Sequence, residues 1–412
     1  MPVSTKIIGK KVPKLRFKIF NEEWKEEQLD NLVKTYDGTH QTPRYVDSGI
    51  PFYSVEHVTA NQFSKTKFIS EEVYSKEIER VKIEKNDILM TRIGSIGVAR
   101  LIDWDVKASF YVSLALLKNS EVLSSRFLVY YIATDKFQRE LYKRTIHVAF
   151  PQKINLGEIG QCYACFPPKE EQQKIASFLT VVDKKIEQLT NKKQLLEQYK
   201  KGVMQQLFSQ KLRFKGFGKE WKEKRLSDIG IHFNGLTGKT SDDFGAGKPV
   251  ITYKQIFDNS TIQIEKCGYV NVAENEKQNT ARYGDVFFTV SSESPEEVGF
   301  ASVLLEKNIE PFLNSFCFGF RIDQSILYPY FSRYLFNSSQ FRKIVIPLAQ
   351  GSTRYNMSKT AFLKLETIFP SLKEQQKIAS FLMVIDLKIE AVEQQIDKAK
   401  EWKKGLLQQM FV

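Results

Sequence analysis

Three loops in each half of the chain carry side chains that can read a base edge or hold a phosphate. The first spans 35–44 and offers Thr39, His40, Gln41 and Arg44; its counterpart, 233–240, offers Asn234, Thr237, Lys239 and Thr240. The second holds Thr91, Arg92 and Ser95, against Ser291 and Ser292. The third, 147–155, holds His147, Gln152 and Lys153, against Ser352, Thr353, Arg354, Tyr355 and Asn356 in 350–356. Arginine meets guanine in a bidentate fashion, Asn and Gln match adenine, and Ser, Thr and Lys serve bases or phosphates. The same residue types also suit plain solvent-facing loops, so their neighbours must decide between the two readings.

Catalytic chemistry finds little support. Gly235 to Thr240 ends in Gly-Lys-Thr, but a phosphate-binding P-loop needs glycine at 233, where Phe233 stands. Cys162 and Cys165 have metal-like spacing without a second pair, and an apolar strand before Pro167 is the expected setting. His40, His57, His147 and His232 are scattered and form no ligand motif. The Asn-Pro-Pro-aromatic motif of amino-methyltransferases and paired Walker motifs are both missing from the sequence. No catalytic and no metal-binding residue is therefore assigned.

What must position these loops is a long internal repeat. Lys14-Leu15-Arg16-Phe17-Lys18 returns as Lys211-Leu212-Arg213-Phe214-Lys215, and Glu23-Trp24-Lys25-Glu26 as Glu220-Trp221-Lys222-Glu223, both at a shift of 197. Glu171-Gln172-Gln173-Lys174-Ile175-Ala176-Ser177-Phe178-Leu179 returns at 374–382, a shift of 203. Two near-identical frames thus enclose inserts of nearly equal length and different sequence. Selection for one architecture with two recognition surfaces leaves such a pattern; a duplication without functional content is the alternative.

Each insert mixes both element types. Strands are expected at 87–91, 98–102, 285–290 and 300–305, and helices at 125–143 and 330–344. The helices carry Lys136, Arg139, Lys143 and Arg144, or Arg333, Arg342 and Lys343, as possible phosphate contacts. After each insert comes a proline-free run, 171–208 and 374–411, introduced by Pro167, Pro168 or Pro370 and by acidic residues in the first turn. Its apolar residues form a two-column heptad seam. In the first run these are Ile175, Leu179, Val182, Ile186, Leu189, Leu196 and Val203, with Lys193 and Lys200 interrupting one column. In the second they are Ile378, Leu382, Ile385, Ile389, Val392, Ile396 and Leu406. The expected fold class is α+β: two mixed α/β domains separated by a long antiparallel two-helix coiled coil, related by a pseudo-two-fold repeat. An antiparallel pair would set the inserts at opposite ends of a rod. The expected boundaries are 1–165 and 210–368 for the inserts, 166–209 and 369–412 for the helices. The closing Gln408-Gln409-Met410-Phe411 matches Gln205-Gln206-Leu207-Phe208, so the chain reads as nearly circular.

Composition agrees. The 412 residues include 61 Lys and Arg against 48 Asp and Glu, a net charge of +13 that favours a polyanionic partner. Hydrophobic residues at 42% exclude a disordered chain, and four cysteines exclude a disulfide scaffold and fit a reducing cytoplasm. The apolar stretches are too short to span a bilayer, and the charged N-terminus reads as no export signal.

The duplicated Pro-x-x-x-Glu-Gln-Gln-Lys-Ile-Ala-Ser-Phe-Leu helix starts at Pro167 and Pro370, the Lys-Leu-Arg-Phe and Glu-Trp openings and the two variable inserts together resemble the DNA specificity subunits of type I restriction-modification systems. The resemblance covers essentially the whole chain. It implies two target recognition domains, each reading one half of a bipartite site on double-stranded DNA. It implies assembly with two modification subunits, which use S-adenosylmethionine to methylate adenine, and with ATP- and Mg-dependent restriction subunits. No cofactor and no chemistry is then expected in this subunit. A nuclease or methyltransferase in its own right, and a coiled-coil adaptor without a DNA role, are the competing classes.

Overall fold

The computed structural model describes residues 11–412; the first ten residues of the expected first domain lie outside them. Those described form two units: the chain up to Thr190 together with Gln394–Val412, and Asn191–Glu393. Each unit is one insert packed with a segment of each long helix.

In the first unit an antiparallel four-stranded sheet runs in the order Thr35–Asp37, Leu114–Leu117, Ile88–Thr91, Ala99–Leu101. Its central strands are buried at every position, and apolar at all but Thr91, because both faces are covered. Ile88, Met90, Ala115 and Leu117 face one core, which includes Phe127, Tyr131 and Phe137. Leu89, Leu114 and Leu116 face another with Tyr53 and Val58. A second sheet orders Tyr45–Val46, Lys67–Ile69, Ile50–Tyr53 and Ser109–Phe110, the last pair parallel. Lys25–Gln28 and Tyr163–Phe166 close the insert as an antiparallel pair.

The second unit repeats this plan. Gly230–Asn234, Cys317–Ile322, Val286–Thr289 and Ala301–Val303 form its main sheet, and Lys222–Arg225 closes on Glu366–Phe369. Phe244–Ile251 pairs antiparallel with Gly268–Val270 and parallel with Phe312–Leu313. Its core is built on phenylalanine: Phe288 contacts the rings of Phe318, Phe336 and Phe362 at 4.6–5.3 Å.

The four expected strands form, slightly trimmed at their ends. Each expected insert helix, however, is two. Ser125–Ile132 ends before Thr134, whose hydroxyl accepts from Phe137 N at 3.3 Å and caps Asp135–Arg144. Pro329–Leu335 likewise gives way to Ser339–Val345, capped by Ser338 accepting from Phe341 N at 3.2 Å. An apolar periodicity that runs on across a Thr or Ser hides the cap, which turns the chain while keeping Phe137 or Phe341 in the core.

The long helices are Lys169–Phe208 and Leu372–Met410. In the first unit Ile175, Leu179 and Val182 share a core with Leu406, Met410 and Phe411, so the two segments run antiparallel. In the second unit Val203, Leu207 and Phe208 share one with Ile378, Leu382 and Ile385, again antiparallel. Leu189, Val392 and Ile396 are also buried; Ile186, Leu196 and Ile389 are half-buried. The lysines that interrupt the seam are paired. Lys403 meets Asp183 at 2.6 Å, and the equivalent Lys200 meets Asp386 at 2.5 Å. Each aspartate also accepts from a buried tyrosine of its insert, Tyr130 at 2.8 Å or Tyr334 at 2.6 Å. Lys193 meets Glu393 at 2.6 Å.

The near-circular junction is present as a hydrogen bond. Leu15 N donates to Gln409 O at 2.9 Å, and the equivalent Leu212 N donates to Gln206 O at 3.1 Å within the continuous chain.

Candidate nucleic-acid interface

In each unit the second and third loops are neighbours. In the first, Gly94 N donates to Gln152 O at 2.8 Å, and Lys153 bridges both Ile93 and Ile146. In the second, Ser291–Ser292 pairs with Tyr355–Met357, which pairs back on Ala349–Gln350. Both third loops are therefore hairpins whose tips stand clear of their own sheet. The tip 351–354 turns at Gly351, where φ is +140° and an added Cβ would lie 2.1 Å from Arg354 O, so only glycine fits.

The candidate residues divide by what already holds them. Exposed, with side chains that make no hydrogen bond or ion pair among the described residues, are Gln41, Arg44, Gln152, Lys153, Ser352, Thr353 and Arg354. Ser95 and Asn356 are exposed as well; the Asn356 amide reaches only Arg354 O, at 3.4 Å. Tyr355 is half-buried. Thr39 is half-buried and its hydroxyl donates to Gln41 O at 3.3 Å. His147 is exposed but turned back, its ring 4.3 Å from that of Tyr142 and its Nε2 2.9 Å from Tyr142 O.

Others are committed inward. Thr91 is fully buried; its hydroxyl donates to Ser95 O and accepts from Val98 N, tying the second loop shut. Arg92 is buried too. Its guanidinium donates to Val112 O at 2.8 Å and Ile154 O at 3.2 Å and lies 3.4 Å from Asp37, while burial lowers its pKa. Lys239 is held between Glu276 at 2.7 Å and Asp243 at 3.7 Å, with its pKa raised by the Glu276 hydrogen bond. Asn234, Thr237 and Thr240 are exposed but engaged: Asn234 accepts from Lys359 at 2.5 Å, Thr237 lies 3.5 Å from Gln278, and Thr240 caps a turn with Asp243. Ser292 donates to Glu297 at 2.5 Å, whereas the buried Ser291 hydroxyl is unpartnered. In a sequence, a loop arginine that faces bases and one that ties three backbone segments together look alike.

Asp37 escaped the sequence reading. It accepts from His40 Nε2 at 2.8 Å and pairs with Arg80 as well as Arg92, which joins the roots of all three loops. Burial pushes its carboxyl pKa up, but the His40 hydrogen bond and Arg80 outweigh it and hold the group below its ordinary value. Its position three residues before His40, at a strand end, was the available signal.

The helical cations are mostly paired. Lys136 meets Glu26, Lys143 meets Glu140, and Arg144 meets Glu158. Arg333 reaches Ser260 and Asp386. Arg342 donates to Glu296 O, Val298 O and Gly299 O, and burial lowers its pKa to about 10. Arg139 is exposed, and among the described residues its side chain bonds only to Asp135 O of its own helix, at 3.1 Å. Cys162 and Cys165 are buried beside the closing strand, and burial raises the Cys162 thiol to about 12.

The sequence model described as type I restriction modification DNA specificity domain matches twice, over residues 21–198 and 218–401. A type I restriction enzyme MjaVIII specificity subunit from Methanocaldococcus jannaschii is 24% identical over 416 residues, covering 92% of this chain and 91% of that one. A putative type I restriction enzyme MjaX specificity subunit from the same organism is 29% identical over 202 residues; that match spans 47% of this chain and only 45% of the relative. Among solved structures, the S subunit of a type I restriction-modification system from M. genitalium superposes with a TM-score of 0.57 at 16% identity, over 97% of this chain and 99% of that one. A chain from a study of complex assembly and conformational transition in the type I system gives 0.60 at 15% identity, over 94% and 97%. With the specificity domain present twice on a repeated frame, the chain belongs to the family of type I restriction-modification DNA specificity proteins.

Proposed function

We propose that the chain is the non-catalytic specificity subunit of a type I restriction-modification complex. It reads a bipartite site on double-stranded DNA, one half-site per insert. One observation carries this reading. The frame repeats to single hydrogen bonds, while the third-loop hairpins it presents differ: Gln152 and Lys153 in one unit, Ser352, Thr353 and Arg354 in the other. A shared frame with exchanged tips suits two different half-sites. The surplus of basic residues supplies the sequence-independent part of the affinity.

On this reading two modification subunits bring S-adenosylmethionine, and restriction subunits bring ATP and Mg, all in the cytoplasm. Among the described residues no helix is long and apolar enough to cross a membrane. The full chain, alone and with co-expressed modification subunits, should select a two-part consensus from random duplexes. Its binding should weaken steeply with salt. Comparing the methylated adenines of a host with and without the gene should return the same consensus. Selection of no sequence in either setting would reject the reading in favour of an adaptor.

A further inference from the structure

The hairpin 147–152 of the first unit is unlike its polar counterpart. Val148 is 96% exposed and Phe150 fully so, in a hairpin whose polar side chains are His147 and Gln152. The loop is not slack at its root. Ile146 N donates to Lys153 O at 2.8 Å, Gly94 N to Gln152 O at 2.8 Å, and His147 is tilted back against the Tyr142 ring. The residues therefore alternate: His147 packs on the protein, and Val148 and Phe150 point away from it. A bare phenyl ring forgoes about 25 cal/mol for each Å² that could be buried, and the anchored root keeps it from folding back.

We propose that Phe150, backed by Val148, is an apolar wedge that enters the base stack of the first half-site, whereas the second unit reads its half-site with Arg354 at the equivalent place. This rests on the proposed DNA-reading function and adds to it a different mode of recognition for each half. Phenylalanine is among the side chains that part a base step and bend the duplex. The surroundings favour DNA over a protein as the occupant. Lys153 stands at the hairpin root, and Arg139 lines with Gln152 and Asp135 a cavity of about 580 Å³ beside it; neither cation forms an ion pair among the described residues, Arg139 bonding to the Asp135 carbonyl while the Asp135 carboxylate accepts from Gln408. Such cations suit the phosphates on either side of a parted step. A protein partner shared by both units would meet an apolar tip on one and Arg354 on the other; two half-sites of unlike sequence would require that difference.

The test uses the full chain with co-expressed modification subunits, on duplexes selected from a random pool. 2-Aminopurine is placed at each position of the selected first half-site in turn, except at the adenine to be methylated, which the modification subunits would themselves flip out of the stack. Binding should raise its emission several-fold at one step, as a base loses its stacking neighbour. Phe150→Ala should abolish that rise and relax only the first half-site; Phe150→Trp should keep it, with its own emission quenched by stacking. Arg354→Ala should leave it unchanged. Because Phe150 touches nothing that holds the fold, an unaltered melting temperature separates loss of the wedge from loss of structure. A selected two-part site with no emission rise at any step would overturn the wedge while leaving the DNA-reading function intact, and would point to a simple thymine-methyl contact. A Phe150→Ala chain that keeps the rise, or that selects the same site but no longer holds the modification subunits, would overturn it as well. Failure to select any site would instead reject the underlying function.

Discussion

Arg16 holds both carboxylate oxygens of Glu171 at 2.7 Å, Nε on one and Nη2 on the other. Arg213 repeats the arrangement on Glu374 at 3.0 and 2.8 Å. In both, Nη2 also donates to a backbone carbonyl six residues on, Glu22 O or Lys219 O. The fork fixes the opening segment of each insert to the first turn of a long helix. Glu171 is fully buried, so Arg16→Ala would strand a carboxylate. Breaking such a pair costs about 3–5 kcal/mol. Arg213 is the more exposed arginine, 20% against 10%, and Arg213→Ala should cost less. Urea unfolding of the two variants checks the order.

Two buried aspartates should respond to acid in opposite senses. The folded-state pKa of Asp37 is lowered, because His40 and Arg80 outweigh burial. Its contribution is present above the unfolded value of about 3.9 and is lost as pH falls through the folded one. The folded-state pKa of Asp285 is raised by burial, despite Arg321 at 2.7 Å. The folded chain therefore takes up that proton more readily, and acid favours it. On lowering the pH below about 5, wild type should lose stability relative to Asp37→Asn and gain it relative to Asp285→Asn. Urea midpoints measured across that range decide; parallel curves for both variants would contradict the assignment.

The frame was legible because its two copies check one another: residues that return at one shift, such as Glu171 and Glu374, fix where an element starts and what it touches. Seam residues such as Leu179 and Leu382 announce themselves by period alone. The insert helices were merged because a cap at Thr134 or Ser338 costs no apolar residue its place in the pattern. The candidate loops were legible as loops but not residue by residue. Arg92 and Arg354 are the same side chain in similar loops. Only the fold brings Val112 O, Ile154 O and Asp37 to the first and leaves the second in water.

That difference is testable. Arg354→Ala should relax the second half-site alone, with a loss of about 1–3 kcal/mol if a bidentate base contact is removed. Arg44→Ala should act on the first half only. Arg92→Ala should behave otherwise, lowering stability by unfastening three segments while the preferred bases stay the same in the fraction that folds. Lys239, held by Glu276, should resemble Arg92 in leaving base preference alone. A binding matrix for each variant, read beside its melting temperature, separates the two classes; an Arg354 change that altered both halves equally would count against modular reading.

The junction at Leu15 and Gln409 leads to a prediction for a fragment of residues 1–210. In the first unit Leu406, Met410 and Phe411 complete the core, with the Phe411 ring 5.3 Å from Phe127 and 6.2 Å from Trp24. Val203, Leu207 and Phe208 stand at the equivalent positions and are present in the fragment. A second copy can therefore fill each copy's open core, and the contact, being the same patch on both chains, closes as a two-fold dimer. Lys200 of one copy would meet Asp183 of the other, as Lys403 does in the full chain. Lys193 fares worse. It keeps Glu197 of its own helix, at 3.9 Å, but Glu393 is absent from the fragment, where the equivalent residue is Thr190. Loss of the one Lys193–Glu393 pair of the full chain, a partly exposed contact worth about 0–1 kcal/mol, should make the dimer weaker than the native pairing, and Thr190→Glu should tighten it. Sedimentation across concentrations should show a reversible monomer–dimer equilibrium, and selection with modification subunits present should return the first half-site repeated in inverted orientation. A fragment that stays monomeric at every concentration, or that selects an asymmetric site, would show that the two units are not interchangeable in the way their shared frame requires.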